Sequence, residues 1–143
     1  MGNKKNMEME RGVFKVVMLG IIFDPKEKKI LIGRRENDPH IKNLSWVFPG
    51  GKLKHNETAE QNIIREIKEE TGLTVEDLGT VFSKIPPEDN SLLLIYHLCE
   101  ATGGNEKPAG DLKELKWVKP EDLEKHFTTD FPPILKEYIL NLK

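Results

Sequence analysis

Three glutamates recur at helical spacing within one segment of the chain, Thr58 to Thr71. On a wheel of about 100° per residue with Glu66 at zero, Glu70 falls near 40° and Glu69 near 300°. Like charges four residues apart destabilise a helix by a few tenths of a kcal/mol, so this spacing is poor for stability alone. Mg²⁺ and Mn²⁺ take clustered carboxylate oxygens as ligands, and such a cation would turn the repulsion into attraction. The alternative is a solvated helix face.

The same wheel predicts which side of this helix packs on a core. The carboxylates overlap the edge of an apolar stripe about 140° wide, which we expect to be buried. That stripe consists of Ala59, Ile63, Ile64 and Ile67. We expect Gln61, Arg65 and Lys68, on the far side, to face solvent.

A longer pattern runs through the helix. Gly51 is followed after five residues by Glu57, and after seven more by the run from Arg65 to Leu73, with sequence REIKEETGL. This pattern resembles the Nudix box, G-x5-E-x7-R-E-U-x-E-E-x-G-U with U apolar, at every specified position. A chance match in a chain of this length is on the order of one in a million.

The resemblance to the Nudix family implies a fold and a chemistry. It implies an αβα sandwich with a mixed central sheet, one box helix and C-terminal helices, an α+β or mixed α/β fold. It also implies Mg²⁺, with Mn²⁺ as a possible substitute, that assists water in cleaving a diphosphate link in a nucleotide. The implied metal ligands are the Gly50 carbonyl, Glu66, Glu69, Glu70 and Glu114, the last from a loop. The implied catalytic residues are Glu66 and Glu69, with Glu57 and Arg65 bracing the loop against the helix.

Outside the box, the chain is similar to the MutT-like branch of the family. This similarity implies substrate contacts from Arg34, Arg35, His40, Phe48 and Asp130. Four of these residues have a simpler interpretation: the arginines as a solvated strand end, Phe48 as core, and Asp130 as the N-cap of the last helix. Leu135 stands where that branch has a base-reading asparagine, and its side chain has no donor or acceptor.

The leading functional hypothesis is hydrolysis of a nucleoside triphosphate to nucleoside monophosphate and pyrophosphate. The alternative within the same class is a pyrophosphatase for ADP-ribose or another nucleoside diphosphate derivative. A non-catalytic nucleotide-binding sensor is a third hypothesis, but the intact glutamates argue against it.

The positions of these residues depend on the elements around them. Apolar, β-branched runs predict strands over 15–23, 29–32, 46–48, 74–84, 91–100 and 112–118, with a stop at Pro49-Gly50-Gly51. Thr58 and Gln61 match a capping box, and Gly72 suits a left-handed C-cap of the box helix. Shorter helices are predicted over 121–126 and 134–140. We expect a single domain, 1–143, in which 1–11 form a flexible polar N-terminus.

Composition narrows the classes of partner. The chain has 143 residues, with 22 Lys+Arg against 24 Asp+Glu and a formal net charge of −2. This balance argues against a nucleic-acid polymer as partner, and no apolar run is long enough to cross a membrane. One cysteine and no signal-like leader suggest a cytoplasmic protein. We expect a small nucleotide substrate and a monomer or homodimer.

Overall fold

The computed structural model describes residues 12–39 and 41–143. The strands are β1 (Lys15–Asp24), β2 (Lys29–Arg35), β3 (Trp46–Val47), β4 (Gly50–Lys52), β5 (Leu73–Lys84), β6 (Leu92–Gly104) and β7 (Leu112–Val118). The α-helices are α1 (Ala59–Thr71) and α2 (Pro133–Leu140), and short 3₁₀ turns cover Pro120–Asp122 and Glu124–His126. His40 and the predicted N-terminal segment 1–11 lie outside the described residues.

The strands form a mixed sheet in the order β3-β2-β1-β6-β5. β1 and β6 are parallel, from Lys15 opposite Leu92 to Phe23 opposite Glu100. The other pairs are antiparallel, with β4 beside the first half of β1 and β7 beside β2. β1 therefore connects the box region on one side to β6 on the other.

Alternation along the strands gives the sheet two apolar faces. Met18 and Ile22 of β1 pack in one cluster with Ile63 and Ile67 of α1. Ile21 and Phe23 of β1, Ile30 and Ile32 of β2, and Leu135 and Ile139 of α2 belong to a second cluster. Helices cover both faces, which confirms the αβα sandwich.

Helix α1 begins and ends as predicted. The Thr58 hydroxyl accepts a hydrogen bond from the Gln61 backbone N–H, and the Gln61 side chain returns one to Thr58 N–H, which is the capping box. Gly72 ends the helix in the left-handed conformation at φ 76°. These local signals fixed the limits of the helix that carries the box glutamates.

The buried face of α1 differs from the wheel in three places. Ala59, expected in the apolar stripe, is exposed at the first position of the helix. Asn62 is buried instead, since its amide donates to the Lys52 carbonyl and to Glu57. Arg65, expected in solvent, is half-buried because acidic side chains surround its guanidinium.

Two other predictions need correction. Gly50 and Gly51 do not simply end a strand, because with Lys52 they form β4 and pair with β1. The helix predicted over 121–126 consists of two 3₁₀ turns. No helix in the described ranges is long and apolar enough to cross a membrane.

Candidate active site

A cavity of about 440 Å³ lies between β4, the start of β6 and the segment that precedes α2. One part has charged walls, formed by Arg35, Asp38, Lys52, Glu66, Glu70 and Asp111. Another part has aromatic and aliphatic walls, formed by Leu94, Phe48, Tyr96, Phe127, Phe131 and Leu135. Lys84, Glu88 and Asp130 are also in its wall. The cavity thus joins an acidic region to an apolar one.

Glu70 is the most deeply buried of the box glutamates. Its side chain belongs to a residue only 8% exposed, and its Oε1 accepts a 2.8 Å hydrogen bond from the Gly50 N–H. Burial raises the pKa of Glu70 to about 7, against the lowering effect of this hydrogen bond, and the negative charge of Glu66 raises it further. The ionised carboxylate is therefore held in an unfavourable environment.

Glycines let the strand approach these carboxylates closely. A Cβ at Gly51 would overlap the carboxylate of Glu66, and a Cβ at Gly50 would overlap the carbonyl oxygen of Met18. Only a residue without a side chain permits both contacts. The Gly-Gly pair therefore brings β4 against β1 and the box helix at once.

Arg65 connects the remaining acidic residues of the box. It donates to Glu57 at 2.7 and 2.9 Å, to Glu66 at 3.1 Å and to Glu69 at 3.0 and 3.1 Å. The guanidinium holds the pKa of Glu57 down, to about 2, and its acidic partners raise the pKa of Arg65. The pair predicted to brace the loop against the helix is thus in contact.

The donors present fit a hard divalent cation. Glu66 and Glu70 both line the cavity, and mutual repulsion raises the pKa of Glu70, so a cation between them would relieve an existing cost. Glu69 is paired with Arg65, and its side chain is 57% exposed. Within residues 12–39 and 41–143, no three side chains of aspartate, glutamate, histidine or cysteine stand close enough together to hold a metal ion.

Glu114 is not in a loop, contrary to expectation. It lies in β7, opposite Arg34 of β2, and its carboxylate accepts a 3.0 Å hydrogen bond from Arg34. Arg34 also pairs with Glu36 at 2.7 Å, and neither Arg34 nor Glu114 lines the cavity. Their predicted roles are therefore not supported by proximity.

Asp111 is a carboxylate that the sequence reasoning missed. It lines the cavity at the end of the β6–β7 loop, and its charge raises the pKa of Glu70. The loop is fixed to the helix end, because Lys107 N–H donates to the Thr71 carbonyl and Ala109 N–H to the Glu70 carbonyl. An acidic residue after a Pro- and Gly-containing loop was the available signal.

Arg35, for which we predict a substrate contact, lines the cavity. It pairs with Asp38 at 3.3 Å and is 3.8 Å from Asp111. Its Nε is buried and has no hydrogen-bond partner among the residues that the structure describes. Arg35 thus retains a donor that an anionic ligand would satisfy.

Phe48 belongs to the hydrophobic core and also lines the cavity, so its position is compatible with a structural role and with the predicted substrate contact. It is 3% exposed and makes edge contacts with Tyr96 and Phe127, at 5.8 and 5.1 Å between ring centroids. Phe131 stands 5.1 Å from Phe127. The rings of Phe48, Tyr96, Phe127 and Phe131 form an aromatic lining of the cavity, called the slot below, against which another flat ring can pack.

Asp130 is in the cavity wall but is not a helix cap, because α2 has Pro132 at its N-cap position. Its backbone N–H donates to Glu88 at 2.7 Å, and its carboxylate lies 3.4 Å from the Lys84 ammonium. Lys84 and Glu88 were not anticipated, since their approach depends on how β5 and the segment before α2 meet.

Known proteins with a similar sequence support the family that the fold and the Nudix box indicate. The family model described as the NUDIX domain matches residues 13–139. The chain belongs to the Nudix family. An ADP-ribose pyrophosphatase of Methanocaldococcus jannaschii is 35% identical over 128 residues, which are 87% of this chain and 72% of that protein. An 8-oxo-dGTP diphosphatase of Escherichia coli is 34% identical over 130 residues, 89% of this chain and 95% of that protein.

A solved structure supports the same assignment. A MutT structure from work on Aliivibrio salmonicida and Vibrio cholerae superposes with a TM-score of 0.64 at 27% identity, covering 90% of this chain and 98% of that one. This Nudix protein is therefore MutT-like over nearly its whole length. Both the family and the curated relatives make it a pyrophosphohydrolase.

Proposed function

We propose that this Nudix pyrophosphohydrolase hydrolyses a nucleoside triphosphate to nucleoside monophosphate and pyrophosphate with Mg²⁺. The observation that carries the proposal is the single cavity that joins Glu66 and Glu70 to the slot around Phe48. A nucleotide has the same division, with a flat ring at one end and phosphates at the other. The match to an 8-oxo-dGTP diphosphatase over 89% of this chain supports this proposal.

In this proposal the metal is held by Glu66, Glu69, Glu70 and the carbonyl of Gly50. Asp111 replaces Glu114 as the further ligand, because Asp111 lines the cavity and Glu114 does not. When bound, Mg²⁺ neutralises phosphate charge and lowers the pKa of a coordinated water.

The protein side chains supply the remaining functions. Glu66, whose carboxylate lies against Gly51, accepts the proton of the attacking water. Arg65 keeps Glu57, Glu66 and Glu69 in place through its guanidinium. Arg35 donates to the phosphates through N–H groups that include its unpaired Nε.

ADP-ribose hydrolysis is the second candidate function. The relative from Methanocaldococcus jannaschii, named an ADP-ribose pyrophosphatase, matches this chain at 35% identity and supports it. The same acidic region would serve both reactions, because each cleaves a phosphoanhydride. The two candidates differ in the group that follows the second phosphate.

A substrate panel with product analysis tests the proposal. The wild-type protein, with Mg²⁺, is assayed on the common nucleoside triphosphates and on ADP-ribose, and pyrophosphate is distinguished from inorganic phosphate. We expect pyrophosphate and monophosphate from a triphosphate, loss of activity with EDTA, and a rate at least about 100-fold lower in Glu70→Gln. Glu76→Gln, an exposed glutamate of β5, is the matched control. A higher kcat/KM for ADP-ribose than for every triphosphate would overturn the proposal in favour of the second candidate.

A further inference from the structure

Lys84 is a mostly buried cation in the cavity wall, and the proposed catalytic mechanism gives it no role. The side chain of Lys84, the last residue of β5, is 13% exposed, and it lines the cavity. Its ammonium donates to the Asp130 carbonyl at 2.9 Å and to the Asp130 carboxylate at 3.4 Å. A lysine ammonium has three donors and no acceptor, so one donor remains on a side chain in the cavity wall.

Asp130, the partner of Lys84, is itself held in place by a hydrogen bond. Glu88 accepts the backbone N–H of Asp130 at 2.7 Å, so the segment before α2 is held to the loop that follows β5. The Asp130 carboxylate is an acceptor and lines the same cavity. A donor-only group and an acceptor-only group therefore stand side by side.

The sheet register gives the distance from this pair to the acidic region. Lys84 lies opposite Leu94, Leu94 opposite Val17, and Val17 opposite Lys52, and all line the cavity. This row crosses β5, β6, β1 and β4, and neighbouring strands are about 4.8 Å apart, so its ends are separated by about 14 Å. That separation leaves room for a sugar and a phosphate chain between a base at Lys84 and the carboxylates near β4.

We infer that Lys84, with Asp130, determines base specificity and selects a base with a ring carbonyl beside a ring N–H. Lys84 donates to the carbonyl oxygen, and Asp130 accepts from the N–H. Hypoxanthine offers this pair as O6 and N1–H. Adenine in the same orientation offers an amino group to the ammonium and a bare nitrogen to the carboxylate, so both contacts are inverted. The inference rests on the proposed function, in which a nucleotide base occupies this end of the cavity.

The apolar slot does not supply such discrimination by itself. Leu135, Phe48, Phe127 and Phe131 have no polar side-chain atoms, so they accommodate either purine by shape. A site built to pair a substrate polar group rejects an analogue that lacks it much more strongly than an apolar pocket does. In this inference the charged pair Lys84 and Asp130, both in the cavity wall, reads the base edge.

Inosine and adenosine nucleotides test this directly, because their bases differ at the relevant atoms. We expect the wild-type protein with Mg²⁺ to favour ITP over ATP in kcat/KM by about tenfold or more. Lys84→Met should bring this ratio several-fold closer to one, because the variant loses the donor to the O6 carbonyl and kcat/KM for ITP falls. The matched control is Lys125→Met, which alters a lysine whose side chain is 68% exposed and pairs with Asp122. An equal preference in the wild-type protein, or an unchanged ratio in folded Lys84→Met, would overturn the inference.

A binding measurement separates this inference from the proposed function. The dissociation constants of IMP and AMP are measured by calorimetry on the wild-type protein, which needs neither turnover nor a variant. Tighter binding of IMP by about tenfold supports base selection even if no triphosphate is hydrolysed, and equal binding contradicts it. If triphosphates are hydrolysed without base preference, the proposed function stands and the role of Lys84 fails.

Discussion

The box glutamates have different local environments despite their shared helix. Glu70 is buried beside Gly50, Glu66 lies against Gly51, and Glu69 is exposed and paired with Arg65. Burial of an ionised carboxylate disfavours folding unless a cation or several donors compensate it. The protein therefore keeps in Glu70 a group that reduces the stability of the metal-free chain.

Glu70→Gln should stabilise the metal-free protein at pH 8. Because the folded state raises the pKa of Glu70 to about 7, its ionised form opposes folding above that pH, while glutamine is neutral. We expect the free energy of unfolding in EDTA to increase by about 1–2 kcal/mol, measured by urea denaturation. Glu69→Gln, at an exposed neighbouring position, should give no such gain. A destabilised Glu70→Gln protein would contradict this prediction.

Glu57 should show the opposite dependence on pH. Arg65 lowers the pKa of Glu57 in the folded state to about 2, so this ion pair stabilises the protein fully above the ordinary pKa of 4.5. Its contribution is lost as the pH falls from about 4.5 towards 2. In Glu57→Gln we expect lower stability at neutral pH and a shallower loss of stability over that acidic range, measured by thermal unfolding. Equal acid sensitivity in both proteins would exclude the pair as its cause.

Among the secondary-structure elements, the C-terminal end of α1 determines how the β6–β7 loop reaches the cavity. Gly72 ends the helix at φ 76°, and the loop then covers the last helical carbonyls through the N–H groups of Lys107 and Ala109. The carbonyl oxygen of Asn105 lies where a Cβ at Gly72 would be. Helix termination and placement of Asp111 therefore depend on the same glycine.

Gly72→Ala and Gly79→Ala are a matched pair of variants that tests the contact between Gly72 and the Asn105 carbonyl. Both glycines have positive φ, 76° and 112°, but a Cβ at Gly79 meets nothing within 4 Å. We expect Gly79→Ala to cost about 1 kcal/mol of backbone strain, and Gly72→Ala to cost more by about 1–2 kcal/mol, measured by urea unfolding. Gly72→Ala should also lower activity, since the loop that carries Asp111 must move. Equal costs would show that the loop contact contributes nothing.

For the whole molecule, the one cysteine of the chain lies in the core and not in the wall of the cavity. Cys99 is fully buried in the cluster between the sheet and α1, and burial raises the pKa of its thiol to about 12, with a further contribution from Asp77. A thiol that remains protonated and inaccessible reacts only when the fold opens. Cys99 can therefore report on global opening.

Labelling of Cys99 should follow unfolding of the domain. We expect no reaction of the native protein with an aromatic disulfide reagent over hours at pH 8, and complete reaction in denaturant. The labelled fraction should rise with the same denaturant midpoint as the circular dichroism signal. Rapid labelling of a fully folded protein would show that the face covered by α1 opens locally.

Sequence patterns alone predict the box, the caps of α1, most strands and the family. These features depend on neighbouring residues: a capping box spans Thr58 to Gln61, and strand alternation has a period of two residues. The tertiary structure decided which charged groups meet. Asp111 reaches the cavity while Glu114 pairs with Arg34, because the β2–β7 register and the loop over α1 fix their positions. Lys84 meets Asp130, 46 residues later, only because β5 ends beside the segment before α2, and no local pattern encodes such a contact.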